Sequence, residues 1–163
     1  LPRRPRRTIR VVLFANEESG LAGGQGYVAR HAAELPKHAG AFEADSGTGA
    51  PLGFSWNAAD TLEPALAAVA KLLEPLGAGA LRKGGAGGAD VSPMLAAGVP
   101  LFGLRQDSST YFDYHHTADD TFDKIEPAAL DRAAAAMAAM AYAVADLPEI
   151  HARPAEAPAP KPK

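Results

Sequence analysis

Glu17 and Glu18 stand side by side where an apolar run gives way to a polar turn, Asn16-Glu17-Glu18-Ser19-Gly20. Adjacent side chains of an extended stretch point to opposite sides, so a turn is needed before both carboxylates can face one site. Ser19-Gly20 supplies that freedom. Two crowded carboxylates repel unless a cation or a proton lies between them. A divalent metal resolves the conflict if one carboxylate ligates it and the other takes a proton from a water that the metal acidifies. Taken alone, the pair fits a solvated acidic turn at a helix start at least as well. Asp45, in Asp45-Ser46-Gly47, also follows an apolar run. Glu43 and Asp45 alternate with Phe42 and Ala44, and Asp45, nearer the run's end, is the better ligand candidate; its other reading is an Asx-type turn. The third element is Tyr114-His115-His116-Thr117-Ala118-Asp119-Asp120-Thr121. Neutral imidazole is the usual nitrogen ligand of zinc, and Asp120 is placed either to orient the His116 ring or to cap the turn. His31, His38 and His151 lie in ordinary helix, loop and tail contexts. With no cysteine in the chain, the donors are oxygen and nitrogen, which suit a hydrolytic zinc site better than a structural one.

These residues need elements to carry them. Thr8–Ala15 is a β-branched, apolar run and reads as a strand buried on both faces, with Glu17 and Glu18 just past its carboxyl end. In open α/β sheets that is the edge where ligands bind. Gly23, Gly24 and Gly26 let the chain fold back into a helix over about 25–34, stopped by Pro36. Residues 39–44 and 51–56 read as short strands, and 62–73 as a helix ending at Pro75 and Gly77. The glycine-rich loop 84–89 precedes Asp90, and a short helix through Met94 and Leu95 follows. Val99–Leu104 is a further strand. Pro127 opens a last helix, with Leu130, Ala134, Met137, Ala141 and Val144 on its apolar face. The predicted fold is α/β: a mostly parallel or mixed twisted sheet flanked by helices. Residues 1–147 form the domain, and the Pro-rich tail 148–163 is expected to be disordered.

At 163 residues, with 47% apolar and 21% charged residues, the chain has one domain's length and enough apolar content for a core. A net charge of −3 predicts neither nucleic acid nor an anionic membrane as partner. The cluster Arg3, Arg4, Arg6 and Arg7, broken by Pro5, reads as a solvated lead-in. No stretch reads as apolar enough to insert into a bilayer. The chain starts at Leu1 and runs almost at once into an apolar strand, so an N-terminally incomplete domain is expected and the lack of a signal peptide carries no weight.

Read together, these segments resemble the M28 metallopeptidases, the dizinc aminopeptidase and carboxypeptidase Q-like group. Val-Val-Leu-Phe-Ala-Asn-Glu17-Glu18-Ser-Gly-Leu is similar to the family's strand followed by Glu-Glu-x-Gly-Leu. Ala-Phe-Glu-Ala-Asp45-Ser-Gly resembles the segment that supplies an aspartate ligand. Gly-Gly-Ala-Asp90-Val-Ser-Pro-Met-Leu-Ala-Ala-Gly-Val-Pro is similar to a stretch that lines the site, and His116-Thr-Ala-Asp-Asp-Thr to the family's His-Thr/Ser-x-x-Asp-Thr. The match runs in order over about residues 8–146, and the His115-His116 doublet leans toward the carboxypeptidase Q-like branch.

The resemblance implies a zinc-exopeptidase-like fold and two zinc ions in the full-length enzyme. It implies Glu17 as general base, Glu18 and His116 as ligands of one zinc, Asp45 as a ligand of the other, and Asp90 as a substrate-binding residue. A peptide or dipeptide is the implied substrate, and export, periplasmic or secreted, is favoured. The family's first histidine ligand and its metal-bridging aspartate come from a segment upstream of residue 8 that this chain does not contain, so the isolated fragment is expected to be inactive. Some relatives place a tyrosine just before the ligand histidine to stabilise the tetrahedral intermediate. His115 occupies that place here and is the candidate oxyanion donor. Two other readings fit the same motifs: a non-peptidase amidohydrolase or acyltransferase on this scaffold, and a non-catalytic α/β interaction domain. Oligomeric state and the direction of trimming are not marked by any motif.

Overall fold

The computed structural model describes residues 3–150. Their strands are β1 (Ala41–Glu43), β2 (Pro51–Asn57), β3 (Ala80–Lys83) and β4 (Leu101–Gln106); the helices are α1 (Ala22–Arg30), α2 (Glu63–Leu73), α3 (Tyr111–Tyr114) and α4 (Pro127–Asp146). The four strands form one mixed sheet in the order β1-β4-β2-β3. β1 runs parallel to β4, β2 antiparallel to β4, and β3 parallel to β2. The carboxyl ends of β1 and β4 therefore open onto the same edge.

Alternation along β2 and β4 explains which side packs. Phe54 and Trp56 stand opposite Leu104 and Phe102 and are buried with them. That face is covered by Leu62, Leu66 and Leu73 and by Ala133, Ala136, Met140 and Val144 of α4. Phe42 of β1 stacks on Phe102, ring centroids 4.4 Å apart. The second face carries a smaller cluster of Leu35, Val91, Met94, Val99 and Leu101, with Tyr27 and Val28 of α1 against it. A sheet packed on both faces is what an α/β sequence pattern calls for.

Four expectations are corrected. The first concerns Thr8–Ala15, which is extended but joins no strand of the sheet. Val11 and Leu13 are 85% and 92% exposed. A cleft of about 1110 Å³ lies between this arm and β1, lined by Thr8–Phe14 on one side and Ala39–Asp45 on the other. Burial on both faces needs a neighbour on each side, and the described residues provide none. The arm is tied to the body by side chains and its end: Phe14 lies edge-on to Tyr27 at 5.9 Å, Arg10 donates to the Tyr27 hydroxyl and to Glu34, and the Ala15 carbonyl accepts from Gly23 N.

Second, the buried side of α4 is Ala129, Ala133, Ala136, Met140 and Val144, whereas Leu130 is 43% exposed and Ala134 is exposed. Ala129, Ala133 and Ala136 face inward because alanine permits close approach, so the inner stripe is displaced by one position up to Met140, whereas Val144 is buried as expected and Met137 packs against the core. Third, this helix is 20 residues long with a mean hydropathy of 1.2 over its most apolar window, enough by length and composition to cross a membrane. Its alanines raise that value while one side packs into the core.

Fourth, the arginine cluster does more than lead in. Arg7 donates to the carbonyls of Leu147 and Ala145, and Arg3 and Arg6 bind Asp146. Cations at the carboxyl end of α4 satisfy carbonyls that have no intrahelical partner. At the other end Pro127 opens the helix as expected, and the Glu126 carboxylate accepts from the backbone N–H groups of Ala128 and Ala129. β3 was not foreseen. Its four residues lie between Gly79 and Gly84 with no alternation to mark them. Of the expected disordered tail, residues 151–163 lie outside the described residues, as does His151.

Candidate functional site

The acidic pair is turned by the residue ahead of it rather than by Ser19-Gly20 alone. Asn16 is left-handed, with φ 60°, a conformation that asparagine tolerates better than most residues. The Glu17 carbonyl then accepts from Gly20 N and Leu21 N, at 3.1 and 2.9 Å. Gly23 is forced by the return of the chain: a Cβ there would lie 2.5 Å from the Ala15 carbonyl oxygen.

From this turn Glu18 reaches across 98 positions of sequence to His116, with Oε1 2.8 Å from Nε2. His116 is also left-handed, with φ 58°. An unfavourable backbone held at a residue with a chemical task is a frequent mark of a functional site. The ring is steadied by a stack: Tyr111 on His115 at 4.4 Å, and His115 on His116 at 3.8 Å. Tyr111 itself packs over Gly47, where a Cβ would come within 2.9 Å of its ring.

Asp45 accepts from Ala89 N at 3.1 Å, so β1 and the glycine-rich loop are tied at the rim. Glu43 does the same one step inside, accepting from Asp90 N and Val91 N at 3.2 and 3.0 Å. Gly88 leaves room for it, since a Cβ there would sit 2.4 Å from the Glu43 carboxyl carbon. Desolvation holds the Glu43 carboxyl above the usual range, against the pull of those two N–H groups. Glu43 is thus a loop anchor.

Electrostatics joins the scattered motifs. Desolvation, followed by the charges of Glu18, Asp45 and Asp90, raises the Glu17 carboxyl above the ordinary glutamate value. Asp90 is raised by desolvation and then by Asp45, and its Oδ1 is buried with no hydrogen-bond partner. The Tyr111 phenol is raised by desolvation and then by Asp45, Glu18, Asp120 and Glu17. Glu17, Glu18, Asp45, Asp90 and His116 therefore share one rim, although His116 and Glu18 alone are in direct contact among the described residues. No three His, Asp or Glu side chains among the described residues converge closely enough to hold a metal ion. The donor chemistry nevertheless fits a divalent cation: clustered carboxylates, an orphaned buried acceptor and an imidazole, with no sulfur.

The expectations can be placed one by one. Glu18 and His116 meet. Glu17, Asp45 and Asp90 lie within each other's fields. His115 lies inside the ring stack. Asp120 makes no side-chain hydrogen bond with His116; its N–H donates to the Thr117 carbonyl. His31 and His38 pack on Tyr27 and bond to Glu34. Tyr111 was missed in the sequence, although its spacing of four from His115 on one turn of helix is the signal that places the two rings together.

Known proteins resemble this chain in sequence and in fold. The pattern of Peptidase family M28 matches residues 1–141. Carboxypeptidase Q of Mus musculus is 38% identical over 147 residues, covering 90% of this chain and 31% of that protein. Carboxypeptidase Q of Homo sapiens is 33% identical over the same length. A crystal structure of a Peptidase M28 precursor from Shewanella amazonensis superposes with a TM-score of 0.89 at 47% identity, covering 97% of this chain and 36% of that one. The chain spans about a third of the length of the curated relatives it matches. With its fold, its rim of carboxylates and its sequence in agreement, the chain belongs to peptidase family M28.

Proposed function

We propose that this chain supplies the general base and three zinc ligands of an exopeptidase that hydrolyses a terminal peptide bond. The Glu18–His116 contact, formed between segments 98 positions apart beside a desolvated Glu17, carries the reading. Zinc, when bound, supplies Lewis-acid polarisation of the scissile carbonyl and acidifies a water. Glu18 and His116 hold one ion and Asp45 the other. The Glu17 carboxylate takes the attacking water's proton on one oxygen and passes it to the leaving amine. Asp90 lines the substrate side. A complete two-metal set needs further ligands, and the relatives are about three times as long, so turnover is assigned to the full-length protein and not to these 163 residues alone.

The test is hydrolysis of unblocked and end-blocked dipeptides by the full-length protein with zinc restored, alongside metal analysis. Release of one terminal residue from unblocked peptides, with stoichiometric zinc, is expected. Cleavage of acyl-amines but not peptides would favour an amidohydrolase, and protein that purifies without metal and cleaves nothing would favour a binding module.

His115 is assigned as the oxyanion donor, held by its stack between Tyr111 and His116. His115→Ala in the full-length enzyme is expected to lower kcat by about 100-fold, the usual cost of one such donor. Unchanged kcat removes the assignment.

A further inference from the structure

β2 and β4 leave part of their second face bare. Gly53 and Ser55 on β2 stand opposite Arg105 and Gly103 on β4, and none but Arg105 has a side chain of any length. The result is a cleft of about 560 Å³ floored by Ser55 and Gly103, with Asp45 in its wall. The floor is compelled to be small: a Cβ on Gly103 would meet the Gly87 carbonyl oxygen at 2.3 Å and Ser55 Oγ at 2.7 Å.

Arg105 is the one cation among the residues lining this cleft. It is half-buried and makes no side-chain hydrogen bond or ion pair among the described residues. Anions lie nearby, yet each is engaged elsewhere. Asp107 accepts from the N–H of Ser109 at 2.9 Å, and that bond, with the Ser109 hydroxyl, holds its carboxyl below the usual range. Asp45 Oδ2 takes the Ala89 N–H. A planar guanidinium with five donors is built for a carboxylate, and leaving it unpaired in a concave, polar cleft forgoes charge-assisted bonds. The surrounding carboxylates would repel an anionic ligand unless a fixed cation offset them.

We propose that Arg105 receives a carboxylate of the peptide substrate in this cleft, which sets the reacting bond beside Asp45. This rests on the exopeptidase reading and narrows its substrate class to peptides bearing a free carboxylate near the scissile bond. The carboxylate is either the peptide's own terminus or an acidic side chain next to that bond.

The full-length enzyme separates these sources with four peptides: Ala-Ala, Ala-Ala-amide, Ala-Glu-amide and Glu-Ala-amide. In Arg105→Gln the ratio of kcat/KM for a carboxylate peptide over Ala-Ala-amide is expected to fall about tenfold to hundredfold, as for loss of a charged hydrogen bond. The loss is expected to sit in KM, with partial rescue by Arg105→Lys. A fall confined to Ala-Ala identifies the terminus, and a fall confined to a Glu peptide identifies the side chain. Equal changes for all four overturn the proposal. Calorimetric titration of chelator-treated protein with N-acetyl-Ala-Ala and with its amide gives a second readout that needs no turnover. If the wild type cleaves no peptide, the exopeptidase reading fails, and this titration still decides Arg105: acid bound better than amide in the wild type but not in Arg105→Gln upholds the anion site, and no such difference dismisses it.

Discussion

Glu17→Gln is expected to lower kcat of the full-length enzyme about 1000-fold while zinc content stays at the wild-type value. The substitution keeps size and polarity but removes the oxygen that accepts the water's proton. General-base catalysis contributes about 10² to 10⁴ in rate, and a thousandfold is about 4 kcal/mol of barrier. Glu17 makes no side-chain hydrogen bond among the described residues, so the fold should not register the change. Relief of repulsion from Glu18, Asp45 and Asp90 would, if anything, stabilise the turn. Kinetics measured alongside metal analysis test both halves. Wild-type kcat in this variant would take Glu17 out of the chemistry, and lost zinc would reassign it as a ligand.

The second large effect is expected at His116. Removing its imidazole leaves Glu18 without its partner at 2.8 Å and takes a nitrogen donor from the site. Even residues that merely support a ligand cost about 10–100-fold in metal affinity when replaced. His116→Ala should therefore weaken binding at one of the two metal positions by more than about 100-fold, and activity should fall with occupancy. Competition with a zinc-binding dye measures it. Because the backbone at His116 is left-handed, His116→Asn separates the two roles. Asparagine tolerates that conformation, so its loss of zinc reports the missing imidazole and not a shifted turn. Retention of both zincs in both variants would sink the ligand assignment.

The two effects differ in how well the sequence announces them. Glu17, Glu18 and Asp45 sit in short motifs just after apolar runs and His116 in a polar turn further on, and the parallel course of β1 and β4 brings Asp45 to the edge onto which β4 opens. That much follows from local pattern. The stack that steadies His116 depends on Tyr111 packing over Gly47, a contact between segments that no local period encodes. The same limit explains Thr8–Ala15. Its β-branched run is extended, as the pattern requires, yet burial is a property of neighbours and not of the run. On α4 the helix and its Pro127 start are legible, while the inner stripe is misplaced by one residue. Bulk suggested Leu130, but Ala129, Ala133 and Ala136 take the inner positions at that end of the helix. β3 escaped because Ala-Leu-Arg-Lys between glycines has no signature of its own.

The unladdered arm has a consequence for where catalytic precision comes from. Local opening free energies within a protein run from nearly zero at unsupported segments up to the full unfolding value in the sheet. Asp45 lies two residues past β1, which is laddered to β4 in the sheet. Glu17 and Glu18 hang from residues at the low end, fixed by a few turn bonds to α1 and by the reach to His116. On the proposed mechanism, the aim of Glu17 is therefore only as steady as the arm that carries it.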